Sequence, residues 1–287
     1  MMITELHAEH SRSFETNRYV YPVLSRRAGG LSIGVNLNPD KICNFDCVYC
    51  QVDRTVPGAV KTVDVPQLLA ELRVMLVAAK TGEIWQHAKF AAVPIHQRLL
   101  HDIAFSGDGE PTTCRQFEAV VAGAAALKRE LQLDDVKLVL ITNASRLQRD
   151  AVSRALAILD ANNGEIWAKL EAGTAAYYQQ IDRSRVPFER ILSNITAAAR
   201  RRPVVIQALF LRLNNVPPSQ SELLEFCQRL RDITAAGGAI SLVQVYTVAR
   251  RPAESYVTAL SDQEVDAITQ LVQEQTGLRA ASYYGMS

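Results

Sequence analysis

The sequence lacks a surplus of either charge: Lys+Arg 31 against Asp+Glu 30 leaves a formal net charge of +1 over 287 residues. That balance gives no added reason to expect a polyanionic partner, although it is compatible with a local basic patch. Long apolar runs are also missing. The strongest, "VVIQALFL" at 204–211, is far too short to span a bilayer. The opening stretch, "MMITELHAEHSRSFETN", is polar and carries both charge signs, unlike a signal peptide. A soluble cytoplasmic protein with no membrane segment is the expectation. Linkers, low-complexity tracts and close repeats are absent too. Cysteine is scarce: there are five, an odd number, with three crowded together. That is a poor disulfide framework, and a chain of this length needs no such staples. It suits a reducing compartment and a metal or redox site.

What is present is a rhythm. Short β-type runs alternate with longer helical patterns, the signature of parallel βα units. Strands are expected at 31–37, 102–106, 136–142, 166–171, 204–211 and 240–248, with a further one around 19–24. Most are continuous apolar runs, as expected for parallel strands buried on both faces. Asp64 and Pro66 open a helix whose apolar face is Leu68, Leu72, Met75, Leu76 and Ala79. Ser219 or Ser221 opens another, with Leu223, Leu224, Cys227 and Leu230 on one stripe and Gly237-Gly238 at its stop. "SDQE", Ser261 to Glu264, reads as a capping box ahead of Val265, Ile268, Leu271 and Val272. About six strand–helix units result, fewer than the eight of a closed α/β barrel. The fold class is therefore α/β, either a partial barrel or a doubly wound sheet. Residues 81–100 break the rhythm and read as an insertion or lid.

The chemistry concentrates in "DKICNFDCVYCQ", residues 40–51, which holds Cys43, Cys47 and Cys50. No fourth ligand type stands close by; the next histidine is His87 and the next cysteine Cys114. Thiolates suit Zn²⁺ or iron–sulfur clusters. Structural zinc wants four protein ligands, and a cubane normally takes one cysteine per iron. Three cysteines leave one iron open, as a catalytic metal requires. The loop follows the first strand of the βα series, on the carboxyl-end face where α/β folds build active sites. "SGDGEPT", after the second strand, lies on the same face.

The spacing C-x₃-C-x-aromatic-C, matched by Cys43, Cys47, Tyr49 and Cys50, resembles the signature of the radical S-adenosylmethionine (SAM) enzymes. The likeness continues through "FSGDGEPT" (105–112), "ITNAS" (141–145), "IWAKLEAG" (166–173) and "VQVYTVARRPAE" (243–254). It runs nearest to the wyosine-synthase-like branch, with its short bacterial members. The resemblance implies a single radical SAM domain over 1–287, with 1–30 as an N-terminal extension, folded as a partial (β/α)6 barrel. It implies a [4Fe–4S] cluster on Cys43, Cys47 and Cys50, with SAM chelated at the open iron. It also implies reductive cleavage of SAM to a 5′-deoxyadenosyl radical that takes hydrogen from a substrate. Reduced flavodoxin or ferredoxin is the implied electron donor, and the substrate is an unidentified small molecule, RNA or protein.

Further candidates surround this motif. Gly107 and Gly109 let a ligand approach the backbone, and the resemblance implies that Glu110 meets the SAM amino group; an ordinary glycine-rich turn with a surface acid is the alternative. Asn143 closes the third strand. Lys169 and Glu171 share a face at the end of the fourth, to grip SAM or substrate or to form a structural ion pair. Gln207 and Gln244 are polar residues inside apolar strands, available to adenosine, to substrate or to each other. Arg250 and Arg251 follow the sixth strand, for an anionic group or as a solvated loop. Cys227 lies on an apolar stripe and reads as a core thiol. Cys114 sits at an expected helix start, where a thiolate would be stabilised, or serves as a small buried hydrophobe. Wyosine synthases, as the resemblance implies, carry a second cluster on cysteines N-terminal to the signature and a lysine that engages pyruvate. Residues 1–42 hold no cysteine, so a complete enzyme of that type is not expected. Wyosine-type tRNA modification, a non-catalytic electron-transfer protein and a structural zinc module are the rival readings.

Overall fold

The structure, a computed structural model, describes residues 14–58, 60–250, 252 and 254–285. Residues 1–13 of the expected extension and Arg251 lie outside the described residues.

The chain divides into two compact units, one of residues 1–42, 56–141 and 148–165, the other of 43–55, 142–147 and 166–287. The first begins with β1 (Val20–Ser25) and β2 (Gly30–Val35), an antiparallel pair. Pro22 is tolerated in β1 because that strand is an edge, where a missing ladder donor costs nothing. α1 (Val65–Thr81) starts where the sequence predicts, with the Asp64 carboxylate accepting from the Gln67 amide at 3.1 Å and Pro66 in the first turn. It stops at Gly82, in the left-handed region at φ 81°. The buried Glu71 of α1 accepts from the backbone amides of Arg18, Tyr19 and Val20 at 2.8–3.2 Å. β3 (Leu100–Phe105), α2 (Phe117–Glu130), β4 (Lys137–Thr142) and α3 (Asp150–Asp160) complete the unit, with β2, β3 and β4 parallel. Segment 81–100 is irregular, with two short 3-10 turns, and buries Ile84, Phe90 and Val93.

The second unit is built on β5 (Gly164–Lys169), α4 (Ala175–Asp182), α5 (Phe188–Arg201) and β6 (Val204–Leu209). It continues with β7 (Leu211–Leu213), α6 (Gln220–Ala235), β8 (Ile240–Tyr246), β9 (Val257–Ala259), α7 (Asp262–Thr276) and β10 (Ala280–Tyr283). Of the two serines offered, Ser219 caps α6, and the Ser261–Glu264 capping box is formed. The expected strand 204–211 is broken: β6 ends at Leu209, and β7 leaves to pair with β9 in a separate two-stranded ribbon. β10, parallel to β8, has no counterpart in the expected strands.

The principal sheet has eight strands in the order β1-β2-β3-β4-β5-β6-β8-β10. A doubly wound sheet reverses its strand order at a switch point. Here the order follows the chain without reversal, which is the arrangement of a partial (β/α)6 barrel.

Candidate active site

In the second unit, the loop carrying the thiols is held by backbone bonds to the end of α4. The amides of Asp46 and Val48 donate to the carbonyls of Asp182 and Ile181 at 3.1 and 2.9 Å. This is possible because the chain reverses at Arg183, in the left-handed region at φ 46°. The Arg183 guanidinium then donates to the Asp46 carbonyl at 2.6 Å and pairs with the carboxylates of Asp46 and Glu254. Phe45, Val48 and Tyr49 are buried, whereas Cys43, Cys47 and Cys50 are half-exposed and all three thiols are free of disulfides. The loop therefore anchors through its apolar residues, while its cysteines stay partly exposed.

Two N–H groups point at those sulfurs. The Phe45 amide donates to Cys43 Sγ at 3.5 Å, and Arg54 Nη1 donates to Cys50 Sγ at 2.9 Å. Asn143 supports the loop from the side: its Nδ2 donates to Asn44 Oδ1 at 3.0 Å, and Asn44 Nδ2 donates to Ser145 Oγ at 2.8 Å.

Below the thiols lies a buried polar group. Tyr49 donates its phenol to Glu171, whose other oxygen accepts from Tyr246 at 3.5 Å. Lys169 donates to the Tyr49 oxygen at 3.3 Å, lies 4.0 Å from the Glu171 carboxylate, and sits 5.1 Å from the centre of the Tyr49 ring. Cys47 donates to Asp182 at 3.3 Å. The Cys47 sulfur and carboxylate oxygens of Glu171 and Asp182 fall within 4.8 Å of one another. Burial and the neighbouring Asp182 push the Cys47 thiol well above its ordinary pKa. Burial and the Glu171 charge raise the Asp182 carboxyl in the same way. Burial works against the Lys169 ammonium, but Glu171, Tyr246, Cys47 and Asp182 overcome it and hold its pKa above the usual lysine range. Lys169 is thus a fixed cation among acids.

Lys169, Gln207 and Gln244 stand in register across β5, β6 and β8. Gln207 Nε2 donates to Gln244 Oε1 at 3.0 Å, while its own Oε1 is buried without a hydrogen bond. Arg250 donates to Gln51 Oε1 at 2.9 Å.

The glycine–acid loop belongs to the first unit. A Cβ on Gly109 would lie 2.2 Å from the Ile42 carbonyl oxygen and 2.8 Å from Asn38 Cγ; on Gly107 it would lie 2.2 Å from Asn36 Oδ1. Only glycine fits at either place. Asn36 Oδ1 accepts from the amides of Asn38 and Asp108 at 3.0 and 3.1 Å, and Asn38 Oδ1 is buried without a hydrogen bond. Glu110 is buried and caps a 3-10 turn, Pro111–Thr113, by accepting from the Thr112 amide and hydroxyl at 3.2 and 2.5 Å. Cys114 ends that turn three residues before α2, and burial raises its thiol pKa. Cys227 is fully buried on α6, a core thiol as read.

The second unit thus joins Cys47, Tyr49, Lys169 and Glu171, with Asn143 reaching the loop through Asn44. It also adds residues the sequence did not offer. Asp182 reads as a polar position near a helix end, and Arg54 as a solvated loop cation. Only the reversal at Arg183 and the hydrogen bond to Cys50 give them a place.

Residues 37–227 match the radical SAM superfamily. Among curated relatives, the chain is 23% identical over 257 residues to a protein of Brachyspira hyodysenteriae named GTPase Obg, covering 88% of this chain and 33% of that one. The chain therefore spans about a third of that relative's length. Its fold resembles the structure of TYW1 with a lysine-pyruvate adduct bound, with a TM-score of 0.59, 11% identity, and 91% and 86% of the two chains covered. It also resembles a radical SAM methyltransferase of Sphaerobacter thermophilus, with a TM-score of 0.61, 14% identity, and 92% and 69% covered.

Proposed function

The chain belongs to the radical SAM superfamily, a SAM-dependent radical enzyme, and on that premise we propose that Cys43, Cys47 and Cys50 hold a single [4Fe–4S] cluster. The observation that carries the reading is the thiol loop itself. Three partly exposed cysteines, none in a disulfide, sit on a loop anchored by buried Phe45, Val48 and Tyr49, and N–H donors meet two of the sulfurs. That donor set fits a thiolate-ligated cluster that leaves one iron open. When bound, the cluster and SAM supply reductive cleavage of the sulfonium to methionine and a 5′-deoxyadenosyl radical that removes hydrogen from the substrate.

The protein's part is binding and charge placement. Gly107, Gly109 and Glu110 are assigned to SAM. Gly109 lets Ile42 and Asn38 approach the loop closely, and Asn38, with an unsatisfied buried oxygen, joins them as an acceptor for the SAM ammonium. Asn143 positions the loop through Asn44. Tyr49, Lys169 and Glu171 form the polar floor, where Lys169 offsets the acids that would otherwise oppose thiolate formation at Cys47. Gln207 keeps a free acceptor for the cofactor or substrate. The chain acts as one catalytic domain, and a low-potential flavodoxin or ferredoxin supplies the electron.

The wyosine-type reaction is disfavoured for these residues. Besides the three ligands they contain only Cys114 and Cys227, and Cys227 is fully buried. Lys169, which donates to the Tyr49 oxygen, is held as a cation, whereas imine formation with pyruvate requires a neutral amine. The substrate is then something other than pyruvate plus a tRNA base.

Anaerobic reconstitution tests the reading. About four irons per chain are expected, as in other cubane proteins, together with slow formation of 5′-deoxyadenosine under strong reductant. Changing Cys43, Cys47 and Cys50 together to Ala should remove the iron; full loading of that variant would overturn the assignment.

A further inference from the structure

Arg54 lies four residues after Cys50 and has no counterpart in the signature. Its side chain is half-buried and its Nη1 donates to Cys50 Sγ at 2.9 Å. The turn that returns it to the sulfur is closed by Asp53, whose carboxylate accepts from the Thr55 amide and hydroxyl at 2.9 and 2.6 Å. Lys169 and Arg183 of the same unit instead pair with carboxylates, Lys169 with Glu171 and Arg183 with Asp46 and Glu254.

We propose that Arg54 sets the reduction potential of the cluster through its hydrogen bond to Cys50. The inference rests on the cluster assignment above. Reduction by a low-potential one-electron donor adds one electron, and so one negative charge, to the cluster and its sulfurs. A cation donating to a ligand sulfur stabilises that reduced form more than the oxidised one, because hydrogen bonds and net charge at the sulfurs are main determinants of cluster potential. Arg54 therefore raises the potential and brings the reduced cluster within reach of the donor.

The test uses the full chain, reconstituted with iron and sulfide, without SAM or substrate, in a potentiometric titration followed by electron paramagnetic resonance. Arg54→Met should move the midpoint to a more negative value by about 59 mV or more, a tenfold lower ratio of reduced to oxidised cluster at fixed potential. Arg54→Lys, which keeps the charge, should recover part of the shift. If Arg54→Met does not hold a cluster, Arg54→Gln decides, since it keeps a donor and loses the charge: a negative shift supports the proposal. A loaded variant with the wild-type midpoint overturns the role of Arg54 alone. A wild-type chain that forms no cluster overturns the assignment of the ligands and the role of Arg54 with it.

Discussion

The phenol of Tyr49 donates a hydrogen bond to the carboxylate of Glu171, 122 residues further along the chain. Both residues are buried, and burial pushes the Tyr49 phenol well above its ordinary pKa, so it remains a neutral donor. The aromatic position of the thiol motif therefore supplies more than ring packing: its oxygen ties the loop to the floor beneath it. Tyr49→Phe keeps the ring and leaves Glu171 one donor short. Loss of a buried hydrogen bond to a charged group costs about 1.5–3 kcal/mol. A stability loss of that size is expected by anaerobic denaturant unfolding, with the iron content of the folded protein preserved.

Lys169→Met removes the cation and leaves the Glu171 carboxylate, only 1% exposed, without its ion pair. Breaking a buried pair from one side costs about 3–5 kcal/mol. Because the Lys169 side chain is 29% exposed, the lower end, about 3 kcal/mol, is expected. The intact enzyme incubated with pyruvate and borohydride should show no mass increase at Lys169; a trapped adduct would restore the wyosine-type reading.

Gly109→Ala places a methyl group against the Ile42 carbonyl and Asn38. The loop must shift. SAM affinity measured by calorimetry should fall by roughly tenfold, or about 1.4 kcal/mol, at unchanged iron content. Equal affinity would remove this loop from the SAM site.

Asp102 in β3 gives the first unit a pH dependence. It is buried beside Ser32, which donates to it, and desolvation lifts its pKa from 3.8 to about 6. The unfolded chain loses this proton first as pH rises. The contribution of Asp102 is thus fully present below about pH 4 and lost as pH passes 6, at a cost of about 3 kcal/mol. Asp102→Asn should flatten that part of the profile and be the more stable protein at pH 8, as read by thermal unfolding across pH.

The thiol spacing was legible because it is local: three sulfurs, an aromatic and the preceding strand lie within one short stretch. The caps at Asp64, Ser219 and Ser261 were legible for the same reason, each being a short-range bond between a side chain and the next turn. The floor of the site was legible only in part. Lys169 and Glu171 stand out as charges near an apolar strand, but Asp182 looks like any acid near a helix end until Arg183 reverses the chain. The Asn44–Asn143–Ser145 links join side chains about a hundred residues apart, and such links leave no periodicity to read. β10 leaves little apolar signal, being four residues of which only one is buried.

The anchoring of the thiol loop also bears on when the protein can mature. Cys47 meets Asp182 across 135 residues, and the loop amides bond to carbonyls at the end of α4. During synthesis at about 5–20 residues per second, the sulfurs leave the ribosome on the order of ten seconds before their anchors exist. For that interval they are three unprotected thiols on an unsupported strand of chain. On the proposed ligand assignment, metal insertion waits for α4. A nascent chain arrested before residue 175 is expected to retain little iron when challenged with a chelator, whereas one arrested beyond residue 250 should retain it.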